Sequence, residues 1–171
     1  GVPKTARNLR EIAPTMYLNV PKGYEALVSH FRADETLRKN FFSKLKVLFY
    51  AGAGLNQTTW DDLTRLSIET TGQRVIFLSA IGSTETSPLA LACTWEFDRA
   101  GNIGLPCPGV DLKLVPNEGK LEARLRGPLI TPGYWRQDHH TQTAFDEDGY
   151  YKIGDALKFA DPDDPAKGLL F

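Results

Sequence analysis

Cysteine is scarce. Cys93 and Cys107 are the only two in 171 residues, too few for a disulfide framework or a cysteine-built zinc site, so they read as small apolar core residues in a reducing compartment. Charge of one sign is missing too: 20 Lys and Arg stand against 21 Asp and Glu, a net of −1, and both signs are scattered. No basic field is present to hold a nucleic acid or an acidic membrane. No uninterrupted apolar run is long enough to cross a bilayer, and no charged-then-apolar leader opens the chain. The expectation is a cytoplasmic protein with no nucleic-acid and no membrane partner. The sequence opens on GVPK and stops on the apolar GLLF, the look of a piece cut at both ends.

What remains is ordinary for a globular chain: 42% hydrophobic and 24% charged residues, enough for a sizeable core. Residues 6–12 read as the end of a helix and 15–20 as a short strand. Residues 22–32 read as a helix with Tyr24, Leu27, Val28 and Phe31 on one face and Pro21 in its first turn. Asp34 suits the N-cap of a helix over 34–42. Residues 46–50 read as a buried strand, 57–70 as a helix ending before Gly72, and 74–79 as a second buried strand. Strand and helix in alternation imply a parallel sheet. Beyond about Phe97 the texture changes to short period-two segments at 110–115, 120–126 and 150–153, split by turn signals at Gly119 and Gly149, which imply antiparallel strands. The fold class expected is α/β: a partial parallel sheet with flanking helices over 1–98, then a small antiparallel, barrel-like β subdomain over 99–171.

Ligands of parallel sheets collect beyond the carboxyl ends of the strands, where loops converge and helix N-termini supply free N–H groups. Two such loops follow the two buried strands. One, AGAG at 51–54, has almost no side chains and lets a flat ligand lie on backbone. The other, AIGSTET at 80–86, offers a glycine for close approach, hydroxyls for phosphate oxygens and one carboxylate for a hard cation such as Mg²⁺. A glycine- and serine-rich turn capping a helix is the plain alternative.

Five motifs in order go further: AGAGL at 51–55, GSTET at 82–86, GLPCPG at 104–109, PGYW at 132–135 and GYYKIGD at 149–155. Their order and spacing resemble the adenylate-forming superfamily of acyl-CoA synthetases, adenylation domains and luciferases, and NVPKGY at 19–24 with AIGSTETSP at 80–88 looks most like the feruloyl-CoA synthetase branch. The resemblance implies a fragment of a large N-terminal domain, and an enzyme that uses ATP, Mg²⁺ and coenzyme A to convert an aromatic carboxylic acid through an acyl adenylate to its thioester. It implies catalytic roles for Thr84, at the α-phosphate, and Glu85, which would also hold the metal. Nucleotide contacts would come from Gly52, Ala53, Gly54, Ile81, Gly82, Ser83 and Thr84, with Asp155 accepting from the ribose hydroxyls. Ile81 stands where the family usually has an aromatic residue on the base. The family's Ser/Thr/Gly-rich loop ending in Pro-Lys and its Gly-Arg hinge with a lysine-bearing C-terminal domain are absent, so the fragment is expected to be inactive alone and to need the missing parts of its own full-length chain. Another adenylate-forming branch, or a non-catalytic nucleotide-binding module, stays open.

Other residues read plainly. His139 and His140 look like exposed loop histidines, Asp146 and Asp148 like a solvated hairpin approach, and Tyr134 with Trp135 like packing on a barrel wall. Tyr17, Asn19 and Val20 fall at a strand end, where they either line an acyl pocket or pack an edge.

Overall fold

The structure, a computed structural model, describes all 171 residues in two units. One is residues 1–79 with 95–101, the other 80–94 with 102–171. In the first, α1 (Val2–Glu11) precedes β1 (Met16–Asn19), α2 (Pro21–Ala33), α3 (Glu35–Ser43), β2 (Val47–Ala51) and α4 (Gln57–Thr71). β3 (Ile76–Ile81) then leads out of this unit. The strand order is β1-β2-β3, with β1 and β2 parallel and Met16 opposite Val47.

The helix limits have local causes. Asp34 accepts from the Leu37 N–H at 2.9 Å and Asn56 from the Thr59 N–H at 2.7 Å, so α3 and α4 both start on a side-chain cap. α4 stops at Gly72, which takes the left-handed φ of 73°. Leu27, Phe31, Phe41, Leu48, Trp60 and Leu63 are fully buried between helices and strands. Trp60 stacks on Phe77 with centroids 3.8 Å apart, and Phe31 on Phe41 at 4.6 Å.

The second unit contains β4 (Leu91–Cys93), β5 (Asn102–Pro106), β6 (Asp111–Asn117), β7 (Lys120–Arg126), α5 (Asp138–Ala144), β8 (Tyr151–Phe159) and β9 (Leu169–Leu170). Its strands run in the order β4-β5-β9-β8-β7-β6, every pair antiparallel. This sheet is open, so the expected barrel-like closure does not occur. β6 pairs with β7 alone and carries Asp111, Lys113 and Pro116, the charges and proline that an unpaired edge tolerates. Leu91, Leu125, Leu157 and Leu169 form the core of this unit.

Asp146 is no solvated acid. Its side chain is 2% exposed and ion-paired to Lys113 at 2.8 Å and Arg124 at 3.1 Å, and it accepts from the N–H groups of Asp148 and Tyr150. It ties the turn before β8 to β6 and β7, which sets where β8 begins. The histidines are not in a loop either: His139 and His140 lie on α5, a helix with no buried residue.

Candidate active site

The segment that follows β3 is a single 3-10 turn, Thr84–Thr86, capped on both sides. The Ser83 hydroxyl accepts from the Glu85 N–H at 3.2 Å, and the Thr86 hydroxyl accepts from the Ser83 N–H at 2.8 Å. Thr86 is fully buried. Two of the three hydroxyls of GSTET therefore hold the turn itself, and the third residue, Thr84, is exposed. Gly82 is required by close approach, since a Cβ there would lie 2.3 Å from the Ser87 carbonyl oxygen and 2.6 Å from the Pro88 carbonyl carbon. Ile81 and Gly82 are half-buried on the way into the turn.

Glu85 is held by residues far along the chain. Its backbone carbonyl accepts from the Thr131 N–H at 2.7 Å, and its carboxylate Oε1 accepts from the Tyr134 hydroxyl at 2.9 Å. The Tyr134 hydroxyl lies 3.4 Å from that of Tyr151, the first residue of β8. Ser87 adds a bond from its hydroxyl to the Leu129 carbonyl at 3.1 Å. The Tyr134 hydrogen bond, then the Glu85 N–H and the Ser83 hydroxyl, hold the Glu85 carboxyl below its ordinary range, so it is anionic at neutral pH. The same contacts push the Tyr134 phenol up, Tyr151 first and Glu85 next.

β8 carries Asp155. Between the pairs Arg124 with Lys152 and Glu122 with Ala156, the single residue Ala123 faces Ile153, Gly154 and Asp155. This bulge takes Gly154 to φ 84° and leaves Asp155 without a paired residue on β7. Asp155 is half-buried and its pKa is raised by burial alone. No protein donor compensates that carboxylate, so it is suited to accept from ligand hydroxyls.

The structure thus joins Glu85, Tyr134 and Tyr151 in one hydrogen-bonded chain that ends on the strand bearing Asp155. Tyr134 and Tyr151 also line an open cleft of ≈ 570 Å³ with Gln137, His140, Thr143 and Lys152. Gly52, Ala53 and Gly54 lie in the first unit, exposed after β2, with only the Val20 side chain near Gly52. Tyr17 turns inward against Tyr24 and Phe41, which takes it out of the acyl-pocket candidates. Sequence reasoning missed Tyr134. The pair was expected to pack on a wall, yet Trp135 is 85% exposed and the Tyr134 hydroxyl reaches Glu85. The signal available was PGYW itself, a rigid Pro-Gly turn that presents a phenol.

No group of three or more His, Cys, Asp and Glu side chains clusters as a metal cage. A lone carboxylate suits Mg²⁺, which is commonly held by one or two carboxylates plus substrate phosphates; Glu85 fits that pattern. No helix is long and apolar enough to cross a membrane.

Comparison with known proteins places the chain in a family. The chain is 30% identical over 155 residues to the malonate–CoA ligase of Arabidopsis thaliana, covering 84% of this chain and 23% of that one. It is 29% identical over 163 residues to the anthranilate–CoA ligase of Pseudomonas aeruginosa, covering 91% and 29%. A malonyl-CoA ligase solved with methylmalonyl-CoA and AMP bound superposes with a TM-score of 0.75 at 31% identity, over 99% of this chain and 35% of the other. A long-chain-fatty-acid-CoA ligase of Archaeoglobus fulgidus shares the fold, with a TM-score of 0.81 at 23% identity over 100% and 36%. The chain therefore spans about a quarter to a third of the length of these relatives. The acids in their names are malonate, anthranilate and fatty acids, so they carry the superfamily resemblance and not its feruloyl branch. The profile of the AMP-binding enzyme family matches residues 2–135, and the chain belongs to that family.

Proposed function

We propose that these residues form part of an AMP-forming acid–thiol ligase. In the first step the oxygen of a substrate carboxylate attacks the α-phosphorus of ATP and pyrophosphate leaves. In the second the thiolate of coenzyme A attacks the acyl carbon of the adenylate and AMP leaves. The observation that carries this reading is an ionised Glu85 joined through Tyr134 to Tyr151, on the strand that carries the uncompensated Asp155 four residues further along. A nucleotide presents both complements, phosphates that bring a cation and ribose hydroxyls that donate.

The first step brings one anion onto another, so charge neutralisation and alignment dominate the barrier. Glu85 holds Mg²⁺, which when bound offsets the negative charge of the phosphate oxygens. Thr84 donates its hydroxyl to the α-phosphate. Asp155 fixes the ribose, and Ile81, Gly82 and Ser83 bound the nucleotide side of the turn. In the first unit, Gly52, Ala53 and Gly54 leave bare backbone against which a flat group can lie. The acid carries an uncharged acyl group, ferulate-like aromatic acids included; the support is that the side chain beside Gly52, Val20, brings no charge. The 171 residues alone, without a Pro-Lys phosphate loop, perform no ATP–pyrophosphate exchange.

The test is calorimetry of AMP binding to the full-length protein against Asp155→Ala. Affinity is expected to fall at least tenfold in the variant, without loss of folding stability, because the substitution removes an unpaired half-buried charge. Wild-type affinity is also expected to fall on acidification. Burial raises the Asp155 pKa, so the carboxylate that accepts the ribose hydroxyls is protonated at a higher pH than a free aspartate. Unchanged binding in Asp155→Ala refutes the ribose assignment. Exchange with malonate but with no aromatic acid refutes the acyl assignment.

A further inference from the structure

We propose that Tyr134 is a positioning residue for the Glu85 carboxylate, holding one of its oxygens so that the other is presented to the divalent cation. The proposal rests on the reading of Glu85 as the metal-holding group. A glutamate at a half-exposed turn loses side-chain freedom when it takes a cation, and that ordering opposes binding. Here the ordering is already done. The Tyr134 hydroxyl donates to Oε1 at 2.9 Å and can accept from Tyr151 at 3.4 Å, a residue only 8% exposed.

The phenol is itself anchored. The Tyr134 N–H donates to the Thr141 hydroxyl of α5 at 2.9 Å. The Gly133 N–H donates to the Thr131 hydroxyl at 3.2 Å, which closes the turn before it. The Thr131 N–H in turn donates to the Glu85 carbonyl at 2.7 Å. The same short loop therefore grips both the backbone and the side chain of Glu85, and Oε2 is left as the cation ligand. Outer partners of this kind orient ligands and typically change metal affinity by 10–100-fold.

The experiment uses the full-length protein and Mn²⁺ as the spectroscopic substitute for Mg²⁺, titrated in the presence of AMP and followed by electron paramagnetic resonance. Tyr134→Phe removes the hydroxyl and nothing else. It is expected to weaken Mn²⁺ binding about tenfold while leaving metal-free AMP affinity, which rests on Thr84 and Asp155, unchanged; a purely structural role would weaken both. Thr141→Val, which loosens the anchor but keeps the phenol, is expected to weaken Mn²⁺ binding by a smaller factor and covers the case in which the first variant misfolds. Mn²⁺ affinity within twofold of wild type in both variants, with loss of Mn²⁺ in Glu85→Gln, overturns the positioning role and leaves the metal reading standing. Retained Mn²⁺ affinity in Glu85→Gln overturns both.

Discussion

Gly82→Ala tests whether the turn at 83–86 is held by contact or merely by sequence habit. The added Cβ would lie 2.3 Å from the Ser87 carbonyl oxygen, where ordinary contact begins at 3.4 Å, so that carbonyl must retreat by about 1 Å. It cannot retreat freely. Ser87 already sits at the left-handed φ of 59°, its hydroxyl is committed to the Leu129 carbonyl, and its own carbonyl accepts from the Thr86 hydroxyl at 3.3 Å. Moving it strips one bond from the buried Thr86, the residue that caps Ser83 and so shapes the Thr84 and Glu85 turn. Overpacking of this kind costs about 1–3 kcal/mol. With a urea slope of about 2 kcal/mol per M, the denaturation midpoint should fall by roughly 0.5–1.5 M, and affinity for AMP with metal should fall alongside it. Gly119→Ala is the control: it sits at φ 80° with open space around it, so it costs about 1–2 kcal/mol of backbone strain and leaves ligand affinity untouched. Equal stability and equal affinity for Gly82→Ala and wild type would refute the reasoning.

Trp60→Ala should destabilise the first unit by about 3–5 kcal/mol, because its fully buried ring stacks on Phe77 and packs at a tilt against Phe97; chemical denaturation followed by tyrosine and tryptophan fluorescence measures it. Asp146→Asn should lower the melting temperature at neutral pH and flatten its acid dependence. The Lys113 hydrogen bond, with help from the Tyr150 N–H and Arg124, holds the folded Asp146 well below the ordinary carboxylate range. The stability it contributes is therefore fully present above the unfolded value near 3.8 and is lost as pH falls toward the depressed folded one. Calorimetric scans of both proteins from pH 7 to pH 2 check this, and identical slopes below pH 4 would refute it.

Much of the architecture was readable because it is local. Asp34 and Gly72 bound helices through bonds and angles that span a few residues, and the apolar face of α2 repeats at helical spacing. The turn at 80–86 was readable for the same reason: a buried run followed by small oxygen-bearing residues. What was misread involves partners distant in sequence. α5 has no apolar stripe to betray it, since none of its residues is buried. Asp146 looked solvated because Lys113 and Arg124, its partners, lie on two other strands. Openness of the antiparallel sheet depends on whether two end strands meet, and alternation within one strand carries no information about that.

The sequence by itself determined the alternation of strand and helix, the small-residue turn with its one anion, and the family to which the chain belongs, since each rests on neighbours within a few residues or on motifs in fixed order. Only the tertiary structure decided that Thr86 and Ser83 are consumed as caps while Thr84 is left exposed, that Asp155 lies half-buried in a bulge opposite Ala123 without a partner, and that Tyr134, 49 residues away, donates to Glu85. A hydrogen bond between side chains so far apart has no local signature, because the distance that makes it exists only once the strands between them have paired.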